Sequence, residues 1–157
     1  MIIVDDLLAQ REAQGNPVRV GIAGPGFMAK GLINHILNTK PGMEVACVYA
    51  RTPDKGVAAL ATAGREGDLV AVVADAAGVD AIVAQGGTAV TSNHEAMTQA
   101  SCVDVIIDCT GAVEFGCVLA LATLAAGKHL VLMNAEVDAT VGTILNDHQP
   151  LWPFTTP

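Results

Sequence analysis

Val18-Arg-Val-Gly-Ile-Ala23 is short, mostly apolar and β-branched, and it runs directly into Gly24-Pro25-Gly26. After that turn, Phe27 to Leu37 places Met28, Leu32, Ile33, Ile36 and Leu37 at helical spacing. The order is therefore strand, tight turn, helix. The spacing Gly24-x-Gly26-x-x-Ala29 gives each small residue a duty in holding a pyrophosphate. Gly24 permits the turn, Gly26 lets the backbone approach the phosphates closely, and Ala29 lets the helix pack tightly on the strand. Phe27 and Met28 lie between them, at the helix N-terminus where the phosphate charge would rest. Pro25 stiffens the loop without removing an amide that the glycines can supply. The alternative is a tight turn with a structural role alone.

Outward from this turn, the pattern continues to alternate. Thr39-Lys-Pro-Gly42 breaks the first helix, and Met43 to Ala50 forms a second strand ending at Arg51-Thr52-Pro53, where Pro53 can open the next helix. Helices are expected over 55–63, 75–85 and 94–99, a short strand over 88–92, and a near-continuous apolar strand over 103–109 closed by Thr110-Gly111. The stretch 69–73 reads equally as a strand or a helical piece. A strongly apolar helix follows over 112–126, ended by Gly127, and then a strand over 128–133 that stops at Asn134. Upstream, residues 2–14 form a leading helix stopped by Gly15-Asn-Pro17. Strands alternating with helices imply an α/β fold of Rossmann type: a doubly wound, mainly parallel sheet with helices on both faces, in three layers.

Composition agrees. With 52% hydrophobic and only 3% aromatic residues, the core must be built from Ala, Val, Ile and Leu, as parallel strands covered on both faces require. The formal charge of -8 repels polyanions, and no basic cluster offsets it, so nucleic acid is not an expected partner. The mean hydropathy of +0.47 is high, yet the longest apolar stretch, 117–126, is far below a membrane span of ~20 residues. Cys47, Cys102, Cys109 and Cys117 have no C-x-x-C spacing and read as buried reduced thiols. Together with acids where a signal peptide would carry basic residues, they point to the cytoplasm. His35, His94, His129 and His148 lack metal-ligand spacing and read as structural or solvated, so no metal site is expected. Neither a G-x-S-x-G nor a Cys–His nucleophile pattern is present.

The end of the second strand sets the expected cofactor. An NAD enzyme places Asp or Glu there for the ribose 2′-hydroxyl, whereas this chain has Ala50-Arg51-Thr52. Arg51 can stack on adenine and pair with a 2′-phosphate, and Thr52 can add a hydroxyl, so NADP is favoured and NAD is the second choice. The bland reading of Arg51 is an exposed loop cation, and Lys30 reads as a solvated side chain. Thr110, Gly111, Asn134 and Ala135 end two further strands at the carboxyl edge of the sheet, where such folds place their ligands. Asn134 can offer an amide to a nicotinamide carboxamide or ribose; ordinary turn residues are the alternative. Glu136, a weak catalytic candidate, and Asp138 can act as general base or substrate contact, although a helix N-terminus attracts acids for dipole reasons alone.

The runs Val20 to Gly31, Tyr49-Ala-Arg-Thr-Pro53, Asp108-Cys-Thr-Gly111 and Lys128 to Ala139 resemble the N-terminal domain of homoserine-dehydrogenase-like oxidoreductases. Within that family they are most similar to the deoxyxylulose-phosphate-reductoisomerase-like branch, which also begins with a leading helix. The resemblance covers roughly residues 1–145, and Met133-Asn-Ala-Glu-Val-Asp-Ala139 is its most specific part. It implies NADP(H) use, with Gly24 to Ala29 at the pyrophosphate, Arg51 and Thr52 at the adenosine phosphate, and Thr110, Gly111, Asn134 and Glu136 near the nicotinamide. Homoserine dehydrogenases carry a Lys directly after the equivalent of Asn134; here that position is Ala135, which argues against homoserine itself. The expectation is a dinucleotide-binding domain over 1–145, a proline-rich tail over 146–157, and a substrate domain outside the chain. The expected partners are a nicotinamide dinucleotide and a small carbonyl or alcohol substrate, phosphorylated ones included. A non-catalytic sensing module is the alternative, and self-association is compatible with both.

Overall fold

A computed structural model of the chain describes residues 3–147, with side chains from 4 to 145. After the leading helix α1 (Ile3–Ala13), strands and helices alternate: β1 (Val18–Ala23), α2 (Phe27–Thr39), β2 (Met43–Tyr49) and α3 (Pro53–Ala61). A 3-10 turn at Gly67–Leu69 leads into β3 (Val70–Val72), followed by α4 (Ala76–Ala84), β4 (Thr88–Thr91) and α5 (His94–Gln99). β5 (Val105–Asp108), α6 (Val113–Ala125), β6 (His129–Leu132) and α7 (Ala135–Asp147) complete the order.

The strands form a six-stranded sheet in the order β3-β4-β2-β1-β5-β6, and every adjacent pair is parallel. Side chains alternate between two faces, so each central strand feeds two cores. On one face Val20, Ile22, Val45, Val48, Val90 and Ile107 pack against Ala29, Ile33 and Ile36 of α2 and Leu60 of α3. On the other, Cys47, Tyr49, Ala89 and Ile106 meet Val79 and Val83 of α4, Met97 of α5 and Leu119 of α6. Three layers result, with α7 adding Val137 and Leu145 to a smaller cluster around α6 and β6.

Local chemistry starts the helices where the sequence places them. Pro53 opens α3 behind Thr52, the Asp75 carboxylate accepts from Gly78 N at 2.8 Å to cap α4, and the Asn93 side chain accepts from Glu95 N at 3.0 Å to cap α5. α1 rests on the α2–β2 loop, where the Glu12 carboxylate accepts from Gly42 N at 2.8 Å. The ambiguous stretch 69–73 is mostly strand, but only three residues long at the sheet edge, too short for alternation to declare itself. α7 continues through Asn146 and Asp147, two residues into the expected tail; the rest of that tail lies outside the described residues. No helix among the described residues is long and apolar enough to cross a membrane.

Candidate functional site

β1 and β2 lead toward one side of the sheet, while the chain returns through β5 to the other side of β1. The strand order reverses there, and the carboxyl ends of the strands splay apart into a crevice. A cavity of 610 Å³ occupies it. Gly24, Pro25 and Gly26 form its floor, Arg51, Thr52 and Lys55 one wall, and Cys109, Thr110, Ala112 and Phe115 the other, with Tyr49 and Ala50 beneath.

Gly24 and Gly26 do different work. Gly24 has φ +84°, and a Cβ there would lie 2.8 Å from Thr110 Cα and 3.1 Å from the Cys109 carbonyl oxygen. Its lack of a side chain lets the first turn nest against the β5–α6 loop. Gly26 has φ -78°, which any residue adopts, and a Cβ there would meet nothing within 4 Å. The fold itself makes no demand for glycine at 26, and Gly26 lines the cavity.

The amides of both glycines are already committed. Gly24 N donates to the Tyr49 carbonyl at 3.0 Å, and Gly26 N to the Gly24 carbonyl at 2.8 Å. The donors left for an anion are the first-turn amides of Phe27, Met28 and Ala29, which have no intrahelical acceptor, and no side chain caps α2. The expectation that the glycines supply the amides is corrected accordingly: both glycine amides are bonded to backbone carbonyls, and the free donors are at the helix end. Ala29 is fully buried against the sheet, while the Phe27 side chain is 90% exposed and Met28 is exposed beside it. None of these three side chains lines the cavity.

Arg51 and Thr52 do line it, both exposed, and Lys55 joins them from the first turn of α3. Lys55 was not singled out by sequence; its signal was its place three residues after Thr52, the N-cap, which turns it toward the same edge. Tyr49 stacks on Phe115 with ring centroids 4.9 Å apart and planes 13° from parallel, and His94 meets both edge-on at 6.4 and 5.7 Å. Burial pushes the Tyr49 phenol above its ordinary range, against the opposing charge of Arg51. Burial, helped by Asp108, pushes the Cys109 thiol up to about 11, so it stays protonated and is no nucleophile at neutral pH.

On the β5 side, Thr110 donates to Asp108 Oδ1 through its amide at 2.8 Å and its hydroxyl at 2.7 Å. Asp108 is fully buried, and its Oδ2 accepts from Asn134 Nδ2 at 3.2 Å. Asn134 Nδ2 also faces the Ala112 carbonyl at 3.4 Å, and the residue is 1% exposed. The Asn134 amide is thus turned into the protein and does not reach the cavity, contrary to the expected contact with a carboxamide. Gly111, Ala135 and Glu136 are exposed but also lie off the cavity lining. Glu136 and Asp138 occupy the first turn of α7, where the helix dipole alone favours acids. Among the described residues, no three His, Cys, Asp or Glu side chains come together as a metal site.

Among solved structures the chain is similar to myo-inositol dehydrogenase from Lactobacillus casei, in complex with NAD(H) and myo-inositol, at TM-score 0.62 and 18% identity, over 84% of this chain and 33% of that one. The chain shares its Rossmann-type fold. It is also similar to a homoserine dehydrogenase from Thiobacillus denitrificans (TM-score 0.58, 21% identity, 85% of this chain and 27% of that one). A 3-ketoreductase from Actinomadura kijaniata, in complex with TDP-benzene and NADP, aligns at TM-score 0.56 and 19% identity, over 85% and 36% of the two chains. This chain therefore spans about a third of the length of these enzymes. No protein-family model matches it, and no curated protein matches it in sequence.

Proposed function

We propose that this chain is the NADP(H)-binding part of an oxidoreductase that moves hydride between a nicotinamide cofactor and a small carbonyl or alcohol, phosphorylated substrates included. The observation that carries the reading is Gly26: it lines the cavity at the uncapped start of α2, and nothing in the fold itself requires a glycine there. When bound, the cofactor supplies the hydride chemistry; the chain's own residues bind and orient it. The first-turn amides of Phe27, Met28 and Ala29 hold the diphosphate at the positive end of α2. Arg51, Thr52 and Lys55 face the adenosine end, and two cations there suit a 2′-phosphate better than a bare hydroxyl, which favours NADP over NAD. Thr110 lies at the opposite wall.

The leading helix α1 and the run Met133 to Ala139 support a place near the deoxyxylulose-phosphate-reductoisomerase-like branch of the homoserine-dehydrogenase-like enzymes, and the reduced cysteines and the charge of -8 suit a cytoplasmic protein that avoids nucleic acid. A second reading, a dinucleotide-binding module without turnover of its own, is favoured by the position of Glu136 and Asp138 away from the cavity. Titration calorimetry of the purified chain with NADP and NAD tests the common claim. Absence of affinity for either at millimolar concentration removes it. Hydride transfer to a panel of hydroxy acids, polyols and phosphorylated ketoses, by the chain alone or with a partner, separates the two readings.

A further inference from the structure

The Asp108–Asn134 pair is an expensive feature. A fully buried carboxylate accepts from three neutral donors, and the Asn134 that supplies one of them leaves its own Oδ1 buried without a hydrogen-bond partner. Two apolar side chains of similar size would avoid both costs. The α6 helix also approaches the pair closely at Gly116, where a Cβ would lie 2.4 Å from Val137 Cγ2, 2.7 Å from Asp108 Oδ2 and 3.1 Å from Asn134 Nδ2. What the pair touches on its other side is Thr110, which lines the cavity.

The consequence for Thr110 follows from valence. A carboxylate only accepts, so the single hydroxyl proton of Thr110 must point at Asp108 Oδ1, 2.7 Å away. Ala112 N reaches one lone pair of that oxygen from 3.5 Å. Thr110 lines the cavity, so the other lone pair is what its hydroxyl has left to offer a ligand. We infer that Asp108, held by Asn134, is a positioning residue that turns the Thr110 hydroxyl into a pure acceptor, so that this wall of the cavity recognises a neutral hydrogen-bond donor on the ligand. The inference rests on the dinucleotide reading above, whose ligand offers such donors on its nicotinamide half: the two ribose hydroxyls and the carboxamide NH2.

Calorimetric titration with NADP tests it. Thr110→Val is expected to weaken binding about fivefold to tenfold, the scale of one neutral hydrogen bond, and Thr110→Ser to recover most of that loss. Asp108→Leu removes the acceptor at similar side-chain volume, which frees the hydroxyl proton of Thr110 to face the cavity. It should cost as much as Thr110→Val alone, and add less than about twofold in the Thr110→Val background, because neighbours acting through one group are not additive. A purely structural role for Asp108 would instead lower the melting temperature and leave the two affinity losses additive. Two cofactor analogues locate the donor and do not depend on how Asp108→Leu folds. One has the carboxamide replaced by an acetyl group and the other lacks both hydroxyls of the nicotinamide ribose. The analogue missing the donor should bind the wild type and Thr110→Val equally. If Thr110→Val binds NADP as the wild type does, or loses the same factor with both analogues as with NADP, the inference is overturned while the dinucleotide reading stands. If the wild type binds no dinucleotide, the reading fails and takes the inference with it.

Discussion

Alanine at 24 and alanine at 26 separate what the glycine turn does for the fold from what it does for a ligand. At Gly24, φ +84° costs an L-residue about 1–2 kcal/mol. The new Cβ would sit 2.8 Å from the Thr110 backbone and 3.1 Å from the Cys109 carbonyl. Neither neighbour is the free end of a side chain, so overpacking adds about 1–3 kcal/mol. Less the roughly 0.4–1 kcal/mol gained from a stiffer unfolded chain, Gly24→Ala should lose about 2–4 kcal/mol. In a chain of this size that is about 5–15 °C in Tm. At Gly26 the φ of -78° is ordinary and a Cβ meets nothing within 4 Å. The loss of a preferred N-cap residue, up to about 1 kcal/mol, is offset by the same unfolded-state gain, so Tm should move by less than about 3 °C. Yet Gly26 lines the cavity next to the amides of Phe27 and Met28, and on the diphosphate reading a methyl group there crowds the phosphates. Losing one or two charge-assisted bonds should weaken NADP about tenfold to a hundredfold. Thermal unfolding followed by circular dichroism, paired with calorimetric titration, reads both quantities. Wild-type affinity in Gly26→Ala would show the loop to be a turn and nothing more, and an unchanged Tm in Gly24→Ala would contradict the nesting of the turn on Thr110.

Three further outcomes are expected. Arg51→Ala should weaken NADP about tenfold or more and NAD by much less, with Lys55→Ala giving the same sign and a smaller effect; equal losses for both dinucleotides would remove these cations from the 2′-phosphate. Gly116→Ala should destabilise by about 1–3 kcal/mol, because its Cβ would fall 2.4 Å from Val137 Cγ2 and 2.7 Å from the buried Asp108 carboxylate, and urea titration would measure the shift in midpoint. Asp80 carries a pH signature: burial raises its pKa, but the side-chain and amide hydrogen bonds from Cys102 and Ser101 outweigh that and hold it below the ordinary value. A depressed folded pKa means stability that is present above the unfolded value of about 3.9 and lost as pH falls through the folded one. Acid unfolding of the wild type should therefore steepen below about pH 4 relative to Asp80→Asn, and superimposable acid limbs would contradict it.

Most of the fold was legible because β1, β2 and β5 are apolar enough to be buried on both faces and are punctuated by residues with single meanings, Gly24 after β1, Pro53 after β2 and Gly111 after β5. Where punctuation was weak the reading weakened too: β3 is three residues at an edge, half exposed, and nothing in Leu69 to Val73 distinguishes that from a helical turn. The first glycine turn and Arg51 with Thr52 were legible because they are contiguous in sequence and each position has a stereochemical reason. On the opposite wall Thr110 was legible as a strand-end residue, but the ring pair was not. Tyr49 and Phe115 are 66 positions apart and meet only because β2 and the start of α6 share one edge of the sheet. In a chain that is 3% aromatic, their scarcity was the one available clue.

Asn134 shows a subtler limit. Its place at the end of β6 was read from sequence, and a polar residue at a strand's carboxyl end is a reasonable ligand contact on that ground alone. Whether such a side chain faces the crevice or the interior depends on what the neighbouring strand places beside it, and here that is the Asp108 carboxylate. A buried charge takes the nearest donor because leaving it unsatisfied costs more than any single contact to a solvated ligand could return. Asp108 therefore draws Asn134 inward and Thr110 with it, and the influence of Asn134 on the cavity passes through Thr110. The same logic applies to polar residues at adjacent strand ends generally: when one of them is a buried acid, its neighbours are assigned to it first, and only the hydrogen-bonding capacity left over is available to a ligand.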